Sequence, residues 1–147
     1  MDEYDPLRTF TDLHYSASIG DAAKVRELIL RGSDVNAFDN GKTPLHYAVQ
    51  DGHIDVAKIL IEAGADVNAH DPDVIGDTAL GWSAGDCTLE MAMVLVAAGA
   101  DPTIRGWMHL CALDRAKTRT RGEGPAIYEL LVGASRRLMK KASPDKD

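Results

Sequence analysis

Gly81-Trp82-Ser83-Ala84-Gly85 has the form G-x-S-x-G. In hydrolases of that pattern the serine sits on a sharp turn between a strand and a helix, which lifts its hydroxyl into a pocket. An acid and a histidine follow, Asp101 and His109. Residues 80–84 read instead as a short helix with Ser83 on its packed side, so the strand and the elbow are missing. The five histidines (His14, His46, His53, His70 and His109) show no paired metal-ligand spacing. Nothing matches a phosphate-binding GxxxxGK[ST] loop. Cys87 and Cys111 are far apart in sequence and form no CxxC, which reads as two reduced structural thiols. Arg115, Lys117, Arg119 and Arg121 form a basic run without interleaved aromatics on an acidic chain. That is a poor nucleic-acid footprint, and it reads as a solvated face at one end of the domain. The expectation is a chain with no catalytic residue, no metal site and no cofactor.

What must position any functional side chain is the stretch Gly41–Asn68, GKTPLHYAVQDGHIDVAKILIEAGADVN. Pro44 suits a first helical turn, because the N–H it lacks would be unpaired there anyway. Thr43 before it is a natural N-cap. Leu45, Ala48 and Val49 fall on one face of a short helix. Asp51-Gly52 ends that helix, and a second follows with Ile54, Val56, Ala57, Leu60 and Ile61 apolar. Gly64 ends the second, and Ala65–Asn68 leads out as an extended loop. Two helices this short cannot bury their apolar faces alone and need stacked copies of themselves.

The copies are present. Thr43-Pro44-Leu45-His46-Tyr47-Ala48 recurs as Thr11-Asp12-Leu13-His14-Tyr15-Ser16, as Thr78-Ala79-Leu80-Gly81-Trp82-Ser83, and more weakly as Cys111-Ala112-Leu113-Asp114-Arg115-Ala116. The exit loop recurs in step: Gly32–Asn36, Gly64–Asn68 and Gly99–Thr103. A period of about 33 residues carrying T-P-L-H-x-A is the signature of ankyrin repeats. The chain resembles an ankyrin-repeat protein over about residues 8–140. The fold this implies is an all-α ankyrin-repeat solenoid of helix-turn-helix units with hairpin or loop fingers. One domain is expected: a leader over 1–10, repeats over about 11–40, 41–75, 76–105 and 106–140, and a tail over 141–147.

Differences between copies carry further expectations. The first copy lacks the proline and has Ser16 for the small alanine, which suits a capping repeat. In the leader, Asp5-Pro6 favours a turn, and Leu7 and Phe10 are placed to cover the first repeat. Asn40-Gly41 is a strong tight-turn signal. The linker from His70 to Asp77 is longer, with extra acids and Pro72. The third copy has Gly81 where the resemblance implies a histidine that ties neighbouring turns together, so its inner helix is expected to be less constrained. Tyr15, Tyr47 and Trp82 occupy equivalent positions and predict an aromatic stripe on one face. In the last copy Pro125 opens the final helix, which ends in Arg136, Arg137, Lys140 and Lys141.

The formal net charge is −7. Residues 1–104 hold six Lys or Arg against eighteen Asp or Glu, whereas residues 105–147 hold ten against five. No stretch is apolar enough to span a membrane, and the acidic first residues do not form a signal peptide. A cytoplasmic monomer is the expectation. The ankyrin resemblance implies binding of another folded protein through a concave face and finger loops. The candidate contacts are Phe38, Asn40, Lys42, His70, Asp71, Asp73, Arg105 and Trp107 from the fingers, with Tyr47, Gln50, Asp51, Trp82 and Asp86 from the inner helices. Their acidity points to a partner with a basic patch. A narrower alternative is a stoichiometric inhibitor of a basic enzyme such as a nuclease, and a remote one is a hydrolase using Ser83.

Overall fold

The computed structural model describes residues 11–71, 73 and 76–143. The expectations for Asp5-Pro6, Leu7 and Phe10, for Pro72, and for the last four residues of the tail lie outside the described residues. Eight α-helices occur among those described: α1 (Asp12–Ile19), α2 (Ala22–Leu30), α3 (Pro44–Gln50), α4 (Ile54–Glu62), α5 (Ala79–Ser83), α6 (Leu89–Ala97), α7 (Ala112–Thr118) and α8 (Gly124–Ala142). The odd-numbered helices stack on one another as one layer, and the even-numbered helices form the second layer behind them.

The register of the stack comes from apolar positions repeating in step. Leu13, Leu45 and Leu80, one in each of the first three copies, are fully buried in the inner layer, and Leu113 in the fourth is partly buried. Val25, Val56, Leu60, Met91, Leu95, Ile127 and Leu131 fill the space against the outer layer. Burial of each such side chain stabilises the fold by about 1.5–3 kcal/mol. The small position of the motif also forms a column: Ser16, Ala48, Ser83 and Ala116 are all buried. A bulky side chain there would push inner helices apart, which is why the position is small in every copy.

Polar ties lock the copies together. The backbone N–H of Thr43 donates to His46 Nδ1 at 3.0 Å, and His46 Nε2 donates to the carbonyl of Asp77, one copy further on, at 2.7 Å. His14 does the same between Thr11 N–H (3.1 Å) and the Ala37 carbonyl (2.8 Å). A ring nitrogen that accepts a backbone N–H must be unprotonated, so both rings are held neutral. Burial pushes both below the usual histidine value, more than their carbonyl partners raise them. In the exit loops, Asn36 bridges to Gly64 O and Asp66 N, and Asn68 bridges to Gly99 O and Asp101 N. Thr103 stands at the same place in the third loop and turns back on Asp101 instead.

The inner helix of the third copy is five residues long, as short as expected, and begins one residue earlier at Ala79. At the other end α8 runs to Ala142, through the boundary expected at 140. This long helix covers the outer layer with its Ile127, Leu131 and Ala134 side and leaves Arg136, Arg137, Lys140 and Lys141 exposed or nearly so.

Two outcomes follow for stability. Gly20 and Gly52 both join paired helices at φ near +75°. At Gly20 an added Cβ would lie 2.5 Å from the His53 ring, which itself donates to Ser18 O; at Gly52 it would meet nothing within 4 Å. Gly52→Ala is expected to cost about 1 kcal/mol from backbone strain alone. Gly20→Ala should cost about 2–3 kcal/mol, and paired urea titrations measure the difference. Second, a histidine whose folded pKa lies below its unfolded value of 6.5 contributes stability present above that value and lost as pH falls through it. The urea midpoint should therefore drop between pH 7 and pH 5.5. The slope of that drop should flatten in a His46→Gln variant, whatever its stability at pH 7.

Candidate functional site

The first finger is built by Asp39–Lys42. Asp39 and Lys42 exchange both backbone hydrogen bonds, at 2.8 and 2.9 Å, and Asn40 and Gly41 between them both have positive φ. That geometry is the one Asn-Gly is suited to. It brings the Lys42 side chain onto the inner layer, where Nζ donates to Gln50 Oε1 at 3.2 Å and lies 4.3 Å from the Trp82 ring centroid and 5.7 Å from that of Tyr47. The Tyr47 hydroxyl donates to Asp39 Oδ2 at 2.9 Å. Burial, reinforced by that carboxylate, pushes the phenol up to about 12. His14 meets Tyr47 edge-on at 5.7 Å. The expected aromatic stripe is thus interleaved: a lysine lies between Tyr47 and Trp82.

The third copy has no motif histidine, and a different group holds its far side. Asp77, just before α5, has a side chain only 3% exposed. One carboxylate oxygen accepts from the Trp107 backbone N–H at 3.2 Å, and the other accepts from Arg115 Nη2 at 3.0 Å. Arg115 occupies, on α7, the motif position held by Tyr15, Tyr47 and Trp82 in the earlier copies. Gly106 passes so close to Asp77 that any Cβ there would overlap the carboxylate. Within this loop Gly106 N–H bonds Leu110 O, and Arg105 donates to His109 O at 2.6 Å. These contacts hold a second finger, Trp107–His109, in which Met108 and His109 have positive φ.

Four of the residues expected to bind, Asn40, Lys42, Trp82 and Trp107, line a single cleft of about 350 Å³ with Gly41, His46, Gly76 and Asp77. Trp82 and Asp86 share a neighbouring depression with Gly85, Leu110, Asp114, Arg115 and Thr118. Phe38 and His70 lie on a third, shallower one. Gln50 is brought in through Lys42. Asp51 is the exposed cap of α3, Asp71 accepts from the Asp73 N–H, and Arg105 braces its own finger, so these four stand outside the clefts. Sequence reasoning missed Asp77 as the anchor. The available signal was an acid one residue before a repeat motif, with an arginine replacing the next motif's aromatic. The basic run needs correction too. Arg115 is turned onto Asp77, and Arg119 donates to the Cys87 carbonyl at 2.6 Å, so half of it belongs to the fold and not to a solvated face.

The G-x-S-x-G serine lies within α5, 1% exposed, and its hydroxyl donates to the Ala79 carbonyl at 2.9 Å. It occupies the small packing column, while His109 sits exposed on the second finger. Among the described residues no three His, Cys, Asp or Glu gather to hold a metal ion. Burial pushes both cysteine thiols up, away from the reactive thiolate. Among the described residues no helix is long and apolar enough to cross a membrane.

Stacked helix pairs tied through their loops define a repeat protein, here with two exposed tryptophans on its finger side. A family model for ankyrin repeats, in three copies, matches residues 13–106, and the chain belongs to that family. Ankyrin repeats are generally protein–protein interaction modules, typically without catalytic activity. A comparison with curated proteins returns no match. The fourth helix pair, α7 and α8, lies beyond the matched span.

The Asp77–Arg115 pair can be tested directly. Arg115→Met leaves a buried carboxylate with the Trp107 N–H as its remaining partner, and should cost about 3 kcal/mol. Arg115 Nε is itself buried without a hydrogen-bond partner among the described residues. The pair is therefore imperfectly compensated, and Asp77→Asn combined with Arg115→Met should recover part of the loss. Chemical denaturation of the single and double variants measures both.

Proposed function

We propose that the chain is a non-catalytic module that grips a folded partner protein through its inner helices and fingers. One observation carries the reading. Trp82 and Trp107, 44% and 58% exposed, line one cleft; the Lys42 ammonium lies over the Trp82 ring, and the Trp107 backbone is anchored on the Asp77 carboxylate. Two exposed tryptophans on one cleft, with a polar rim of Asn40, Lys42 and Gln50, have the composition of an interface hot spot. Preorganisation also lowers the entropy lost on binding.

The acidic side chains around this face, Asp51, Asp71, Asp73 and Asp86, favour a partner with a basic patch. The net charge of −12 over residues 1–104 also supports the narrower reading, a stoichiometric inhibitor covering a basic enzyme such as a nuclease. In both readings the chain is taken to act as a cytoplasmic monomer.

Affinity capture from native lysate tests the reading, with a Trp82→Ala, Asp86→Lys variant beside the wild type. The expected result is one protein recovered stoichiometrically by the wild type and lost by the variant. Recovery weakened several-fold by added salt would agree with the charge argument. A partner held equally by both forms would remove the inner face from the interface. If the captured protein is an enzyme whose activity falls in proportion to added chain, the inhibitor reading holds.

A further inference from the structure

We infer that the depression beside Trp82 receives a single arginine side chain of the partner, its guanidinium lying against the indole and hydrogen-bonding to Asp86. The inference rests on the reading of this face as the binding surface and specifies what that surface recognises.

Trp82 is a shared wall: it lines both the cleft with Lys42 and the adjoining depression. Its ring already holds one cation on the first side, Lys42 Nζ at 4.3 Å. An aromatic ring presents its negative quadrupole on two faces, and the side chain is still 44% exposed with the lysine in place. The depression beyond measures about 340 Å³, room for one large side chain.

Its charges select the occupant. Two acids and one arginine line it, Asp86, Asp114 and Arg115. Arg115 is neutralised by the buried Asp77. Asp114 is engaged: it accepts from the Cys111 N–H and thiol, and Arg105 lies 3.6 Å away. Asp86 is exposed, and among the described residues its carboxylate has no hydrogen bond or ion pair. The depression thus offers an indole, one free carboxylate and the half-exposed apolar side chain of Leu110. An arginine uses all three: its plane stacks on the ring, its fork fits a carboxylate, and its methylene stem covers the leucine. A lysine would use the ring and the charge but lose the flat stacking and the paired hydrogen bonds.

The test uses the full chain labelled with nitrogen-15, titrated with N-acetyl-arginine methylamide and, separately, with its neutral isostere N-acetyl-citrulline methylamide. The two indole N–H signals are assigned from Trp82→Phe and Trp107→Phe spectra. The expected result is a saturable shift of the Trp82 indole and of the Gly85 and Asp86 amides with arginine, and much smaller shifts with citrulline. In Asp86→Asn, which exchanges an exposed side chain, affinity should fall about tenfold, as for loss of a charged hydrogen-bond partner. Equal shifts from citrulline, or an unchanged affinity in Asp86→Asn, overturn the inference. If arginine fails while capture still depends on Trp82, this inference falls and the module reading stands. If arginine binds but a captured partner ignores the Trp82 and Asp86 changes, the module reading of this face falls, and with it the claim that a partner supplies the arginine.

Discussion

A helix of five to nine residues leaves about half or more of its backbone polar groups unpaired at its ends, and every α-helix among the described residues except α8 is that short. The constraint that shapes the molecule is that these groups must find partners in the neighbouring copy. His46 meets it most economically. One ring nitrogen accepts the Thr43 N–H at the start of its own helix, and the other donates to the Asp77 carbonyl where the next copy begins. A single neutral imidazole therefore caps one helix and sets its distance from the next. Asn36 and Asn68 play the same part in the exit loops, pairing both a carbonyl and an N–H of the following copy. Apolar burial supplies most of the stabilising free energy, but a slip in register would leave these buried groups unpaired.

At the third copy the device changes. Gly81 cannot bridge, and Thr103 cannot reach forward as asparagine does. The junction to α7 instead relies on the Asp77–Arg115 ion pair, with Gly106 making room for the carboxylate. Asp77 thereby joins two systems, its carbonyl closing the second copy's histidine tie and its carboxylate opening the fourth copy's contacts. The second finger hangs from the same carboxylate through the Trp107 N–H. The point where the repeat pattern weakens is also where the exposed tryptophans converge.

This arrangement suits recognition by a fixed surface. In the second and third copies the residue before the motif reaches to the motif's fifth position in the next copy: Lys42 to Trp82, then Asp77 to Arg115. Such contacts hold large side chains in one orientation while leaving part of them in water. Repeat proteins distribute stability over neighbouring interfaces, so the face can carry exposed aromatics provided the buried column of Leu, Ala and Ser behind it is intact.

Much of this was legible in the chain itself. The recurring T-x-L-H, the Gly-x-Asp exit loops and the apolar spacing are local patterns, and local geometry follows from them: Thr43 and Pro44 start a helix, Asn40-Gly41 turns, and Gly20 and Gly52 stop helices. They also settled the nature of Ser83, because a serine in a column of small residues is packed wherever that column is buried. Asn40, Lys42, Trp82 and Trp107 could be chosen as exposed finger and inner-helix residues from their place in the repeat. Their convergence on one cleft could not, since Lys42 and Trp107 are separated by two copies and only the way the helix pairs and loops stack decides what meets. Nor could the identity of Arg115 as a structural side chain. In sequence it is one cation in a basic run. Its role comes from Asp77, 38 residues earlier, whose buried carboxylate exists only after the third and fourth helix pairs have closed over it.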